Sequence, residues 1–146
     1  MTEPPTVPLW DVVQTAHLAG RRFAEAFAAA GLTPAQFGVL ASLVDGDDLS
    51  QGDLARTVLV RPQSMGRLVG DMVELGLVTR TGPGGRGRRT GLALTDRGRQ
   101  AVAQARPAAY ALNMPEALHL TPRQVEDLVE LLGIVRTALQ AGDASS

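Results

Sequence analysis

The sequence predicts a mainly α-helical protein with one small β-hairpin, and three observations carry that prediction. Apolar residues recur at three- and four-residue spacing along most of the 146-residue chain, which is 45% hydrophobic but only 3% aromatic. Two short stretches, 78–81 and 90–94, break that period and flank a Gly- and Arg-rich loop at 82–89. Charge is also segregated: residues 49–100 hold nine Arg and four acids (Asp53, Asp71, Glu74, Asp96), whereas the rest of the chain holds five Arg and eleven acids. A chain of net charge −1 has therefore gathered its positive charge into one segment, as a nucleic-acid-binding face requires.

Taken in order, residues 1–8 read as a loose Pro-rich arm. A first helix fits 9–30, with Leu9, Val13, Ala16, Gly20, Phe23 and Phe27 on one stripe and Gly31 as its stop. Thr33-Pro34-Ala35-Gln36 is a capping box that opens a second helix, expected to bury Phe37, Leu40, Ala41 and Val44. Asp45-Gly46-Asp47-Asp48 breaks it. These acids lack the twelve-residue calcium-loop pattern and its closing Glu, so they read as a solvated turn. Ser50-Gln51-Gly52-Asp53 caps a short third helix that runs to about Thr57, with 58–60 as the turn. Pro62 opens a fourth helix whose core stripe is Met65, Leu68, Val69, Met72 and Val73, ending at Gly76.

Beyond the hairpin, Thr95 caps a fifth helix that Pro107 kinks or ends. A further box, Thr121-Pro122-Arg123-Gln124, opens the last helix, striped by Val125, Leu128, Leu132, Val135 and Leu139 and widened by Leu131, Ile134 and Ala138. The tail after it is expected to fray.

Helix, turn, helix, strand, basic loop, strand is the layout of a winged helix-turn-helix. The polar face of the fourth helix carries Gln63, Ser64, Gly66, Arg67, Gly70 and Asp71. Alone, such a face is an ordinary solvated surface. Followed by a basic hairpin loop it becomes a candidate reading face, because Arg pairs with guanine and Gln with adenine, and recognition helices read bases with their N-terminal residues. Gln63, Ser64 and Arg67 are thus the candidate base contacts. Arg61, Arg86, Arg88 and Arg89 are the candidate contacts to phosphate or minor groove.

Other chemistry is poorly represented. The chain has no cysteine, which excludes disulfides, thiol sensing and cysteine metal sites. His17 and His119 are far apart and lack spaced ligand partners, and no nucleophile elbow, H-E-x-x-H or P-loop is present, so neither an enzyme nor a cofactor or metal is expected. The first ten residues have acid and prolines where a signal peptide needs a basic and then an apolar stretch, and no run reaches 18 apolar residues. A cytoplasmic protein without membrane contact is expected. Its length suits one domain, with dimerisation helices at 1–31 and 107–146 and a winged lobe with connecting helix at 32–106. The wide apolar stripes of the terminal helices fit pairing with a second copy, and a two-fold protein matches a palindromic operator.

In this order, Leu32-Thr33-Pro34-Ala35-Gln36-Phe37, Leu49-Ser50-Gln51-Gly52-Asp53-Leu54-Ala55, Val60-Arg61-Pro62-Gln63-Ser64-Met65, Leu75-Gly76-Leu77-Val78 and Leu94-Thr95-Asp96-Arg97-Gly98 resemble the MarR (multiple antibiotic resistance regulator) family of dimeric winged-helix repressors. The resemblance covers about residues 32–101. It implies a homodimeric repressor of double-stranded DNA with the fourth helix in the major groove and the wing in the minor groove. Family members usually carry Asp-x-Arg at the wing. Here Arg88 matches the Arg while Arg86 stands at the Asp position, so the carboxylate that orients the wing Arg is missing. Some relatives bind aromatic anions in a cleft beside the dimer helices; the resemblance makes a small aromatic or anionic effector a candidate partner, with Trp10, His17 and Arg21 in reach of such a cleft. The competing reading is a dimeric ligand-binding or protein-interaction module whose degenerate winged helix does not read DNA.

Overall fold

A computed structural model describes residues 4–46, 49–58, 60–82 and 91–143. The described residues form α1 (Pro8–Ala28), α2 (Pro34–Asp45), β1 (Leu49–Ser50), α3 (Gln51–Val58), α4 (Pro62–Glu74), β2 (Val78–Thr81), β3 (Gly91–Leu94), α5 (Asp96–Leu112), α6 (Pro115–Leu118) and α7 (Pro122–Asp143). The chain divides into two compact units, Met1–Ala109 and Tyr110–Ser146.

The helix boundaries follow from local hydrogen bonding. All three predicted boxes close. Thr33 N–H donates to Gln36 Oε1 at 3.0 Å while Gln36 N–H donates to Thr33 Oγ1 at 3.2 Å. Ser50 and Asp53 exchange the same pair at 3.1 Å each, and Thr121 and Gln124 do so at 2.9 and 3.2 Å. Each pair satisfies two otherwise orphaned donors of a first turn. At the other end of α4, Leu77 N–H reaches Met72 O and Gly76 N–H reaches Val73 O, both at 3.0 Å. This double bond pattern needs a left-handed residue, and Gly76 supplies it at φ +73° without a Cβ penalty.

In the first unit one core gathers Phe27 from α1, Val39, Leu40 and Leu43 from α2, Leu54 from α3, Met65, Val69 and Met72 from α4, Leu92 from β3 and Val102 from α5, all essentially removed from solvent. Phe27 stacks on Phe37 with ring centroids 4.3 Å apart and on Phe23 at 5.6 Å, so a three-ring row ties α1 to α2. Burying α2 between α1 and α3 moves its inner face from the expected one. Val39 and Leu43 are fully buried, whereas Val44, expected inside, is exposed. A helix apolar on most of its circumference does not reveal by period which side faces the core.

The sheet has order β1-β3-β2, antiparallel throughout, with Val78 opposite Leu94 and Arg80 opposite Leu92. β1, absent from the sequence reading, pairs Leu49 with Leu92 and ties the start of α3 to the hairpin. The expected second strand is described from Gly91, and Thr90 lies outside the described residues. Thr95 joins hairpin and α5: its Oγ1 accepts from Gly98 N–H at 3.0 Å as the helix cap and donates to Gly76 O. Gly98 is required there, since a Cβ on it would stand 2.1 Å from Leu77 O. Pro107 does not end α5, which continues to Leu112.

In α1 the outer half of the predicted stripe is bare. Leu9, Val13, Ala16 and Gly20 are exposed, and only Phe23 and Phe27 turn inward. In the second unit, α7 has no buried residue, and Val129, Leu131 and Ile134 are 60–67% exposed. No helix among the described residues is long and apolar enough to cross a membrane.

Candidate nucleic-acid interface

The amphipathic division of α4 positions the site. Met65, Val69 and Met72, four and three residues apart, lock one side of the helix into the core at 0% exposure. A fixed inner face fixes the outer one. Gln63, Ser64 and Arg67 are exposed on it, with Gln63 and Arg67 one turn apart and Ser64 and Arg67 three residues apart. Arg61 occupies the N-cap position in extended geometry and makes no side-chain cap, and its guanidinium is exposed at the head of the helix with no ion pair to a described residue. The structure therefore brings Arg61, Gln63, Ser64 and Arg67 into one patch at the N-terminal end of α4.

Charge is polarised along the same helix. Arg61 and Arg67 add to the positive end of the backbone dipole, while Asp71 and Glu74 occupy the other end. An anion is attracted to the first two turns and repelled from the last. Polar atoms able to donate and accept, held on a helix beside exposed guanidinium groups, match what base edges and phosphates demand.

The expected wing arginines Arg86, Arg88 and Arg89 lie outside the described residues. The strand that leads toward them carries Arg80, exposed on the edge strand β2. Sequence reasoning passed over Arg80 because a lone Arg in a four-residue strand has no pattern to mark it. It also treated Gln51 only as part of a capping box. In the structure the Gln51 side chain lies against α4 at Gly66.

Trp10, His17 and Arg21 are seven and four residues apart on α1, hence on one stripe, and all are exposed. An open depression borders Leu18, Arg21, Arg22 and Glu25, so Arg21 is the one of the three that lines it. Arg22 pairs with Glu25 at 3.6 Å. Among the described residues, no group of three or more His, Asp or Glu side chains is placed to hold a metal ion.

Residues 30–89 match the model of the MarR family. No curated protein sequence matches the chain. Solved structures do. A MarR family transcriptional regulator from Silicibacter pomeroyi superposes with a TM-score of 0.77 at 20% identity, over 91% of this chain and 89% of that one. A mutant MarR from Escherichia coli complexed with operator DNA gives 0.75 at 24% identity, over 88% and 94%. A Mycobacterium tuberculosis MarR family protein in complex with p-aminosalicylic acid gives 0.69 at 25% identity, over 89% and 98%. Residues 30–89 thus resemble the MarR family, in a chain that shares the fold of these solved regulators.

Proposed function

We propose that this chain is a homodimeric, sequence-specific DNA-binding regulator of transcription, working in the cytoplasm as a repressor that a small aromatic or anionic effector releases. The observation that carries this reading is the α4 patch: Arg61, Gln63, Ser64 and Arg67 exposed together on a helix whose opposite side is anchored by Met65, Val69 and Met72. Gln63, Ser64 and Arg67 contact base edges in the major groove; Arg61 holds phosphate, and Arg86, Arg88 and Arg89 hold phosphate or the minor groove. The Escherichia coli MarR bound to operator DNA supports the reading, since its fold is shared.

Dimerisation follows from the exposed apolar residues. Leu9, Trp10, Val13 and Leu18 on α1, and Leu128, Val129, Leu131, Ile134 and Leu139 on α7, are 40–67% exposed. Apolar surface on this scale marks an interaction site. We assign 1–31 and 107–146 to the contact between copies and 32–106 to the DNA lobe and connecting helix. Two copies then present two α4 helices to half-sites about 34–36 Å apart. The effector reading rests on the Mycobacterium tuberculosis relative bound to p-aminosalicylic acid and on Trp10, His17 and Arg21 sharing one stripe. Trp10 is the sole Trp, so its fluorescence reports directly on salicylate binding.

The test is fluorescence anisotropy on duplex DNA from upstream of the protein's own gene, against scrambled duplex, over a series of salt concentrations. Affinity for one duplex about 10³-fold or more above scrambled, with a steep salt slope, is the expected result. Failure to bind any duplex at any salt favours the interaction-module reading instead.

A further inference from the structure

We propose that Gln51 of α3 contacts the DNA backbone and sets the register of α4 in the groove; the proposal rests on the DNA-binding reading of the α4 patch. A Cβ placed on Gly66 would stand 3.5 Å from Gln51 Nε2, so the carboxamide from the first turn of α3 lies against the bare Cα of α4. Gly66 is three residues after Gln63 and next to Arg67, which puts the amide at the flank of the exposed patch. The Gln51 side chain is half-buried, and no described residue hydrogen-bonds its amide. No fully buried side-chain polar atom among the described residues lacks a partner, so this amide keeps some exposure to solvent.

The base of Gln51 is firmly held. Ser50 and Asp53 close the capping box around it, Ser50 pairs with Gly91 in the sheet, and Leu54 anchors the next turn at 0% exposure. A pre-positioned amide with no internal partner donates at little cost in side-chain entropy. In helix-turn-helix docking the first helix crosses the phosphate backbone while the second enters the groove. An uncharged donor at that crossing adds affinity and fixes register, but it releases no counterion and reads no base.

The experiment uses the full chain and a duplex selected by it from a random pool, with anisotropy at several salt concentrations. Gln51→Ala weakens binding by roughly tenfold, by the same factor on duplexes with single base-pair changes, and leaves the salt slope at the parent value. Gln51→Arg tightens binding and steepens the slope by about 0.9, as one added phosphate contact does. Because Gln51→Arg is a gain, it keeps the test decisive if Gln51→Ala lowers the folded fraction, which thermal melting reads. Parental affinity and slope in both variants overturns the proposal while leaving the α4 reading intact. A loss by Gln51→Ala confined to particular base pairs also overturns it, making Gln51 a base reader. A parent protein that selects no duplex overturns both.

Discussion

α4 and α7 are both amphipathic helices, yet their apolar residues meet opposite surroundings. In α4, Met65, Val69 and Met72 are wholly removed from water by neighbouring elements of the same unit. In α7, 22 residues long, no residue is buried, and Leu131 and Ile134 are about 60% exposed. The same periodic pattern thus has two meanings. One stripe is satisfied within its own chain and serves to aim a polar face outward. The other is left for a partner, which the proposed reading supplies as a second copy.

The sharpest way to break the comparison is to attack what holds α4's neighbourhood together. Phe27→Ala removes the centre of the three-ring row and is expected to cost about 3–5 kcal/mol, measured by urea unfolding. A loss below about 1 kcal/mol would mean the row does not anchor α1 to α2. Next, Ile134→Glu or Leu131→Glu in α7 should leave unfolding of the separated chain nearly unchanged while weakening dimerisation by roughly tenfold or more each. Sedimentation velocity over a concentration series decides it, and an unaltered dimer would return α7 to the role of an intrachain surface. Arg67→Ala should cost about 1–3 kcal/mol of operator affinity and relax base choice at one position. A loss uniform across sequences would instead make Arg67 a phosphate contact. Arg88→Ala should weaken all duplexes alike and reduce the salt slope by about 0.9; an unchanged slope removes that arginine from the interface. The smallest effect expected is from Thr33→Ala, about 1 kcal/mol of stability through loss of one cap, read in the same unfolding assay, with DNA affinity preserved.

What could be read from the sequence was what is local. The Thr33–Gln36, Ser50–Asp53 and Thr121–Gln124 boxes depend on residues three apart, and all three closed as expected. The alternation of α4 likewise told inner face from outer, because its apolar and polar residues separate cleanly. β1 was invisible because two residues show no period and their partner strand lies some forty positions on. Val44 was misplaced because α2 is apolar on most sides. The short helix α6, held by Leu120 N–H to Pro115 O at 2.9 Å with His119 in the left-handed region, was hidden by the lack of a glycine at its stop. The stripe of α1 gives no sign along its length of where the core ends, and only its last turns, at Phe23 and Phe27, meet it. Gln51 shows the same limit at the site. Its approach to Gly66 joins two helices and cannot be seen in either alone.

The most direct test of the central claim, that the outer face of α4 reads DNA in a two-fold assembly, is selection of duplexes from a random pool by the intact protein. The account predicts an enriched inverted repeat with half-site centres about 10–10.5 bp apart, lost when Arg67 and Gln63 are both changed to Ala. A pool that stays unenriched, or one enriched equally by the double variant, would contradict it.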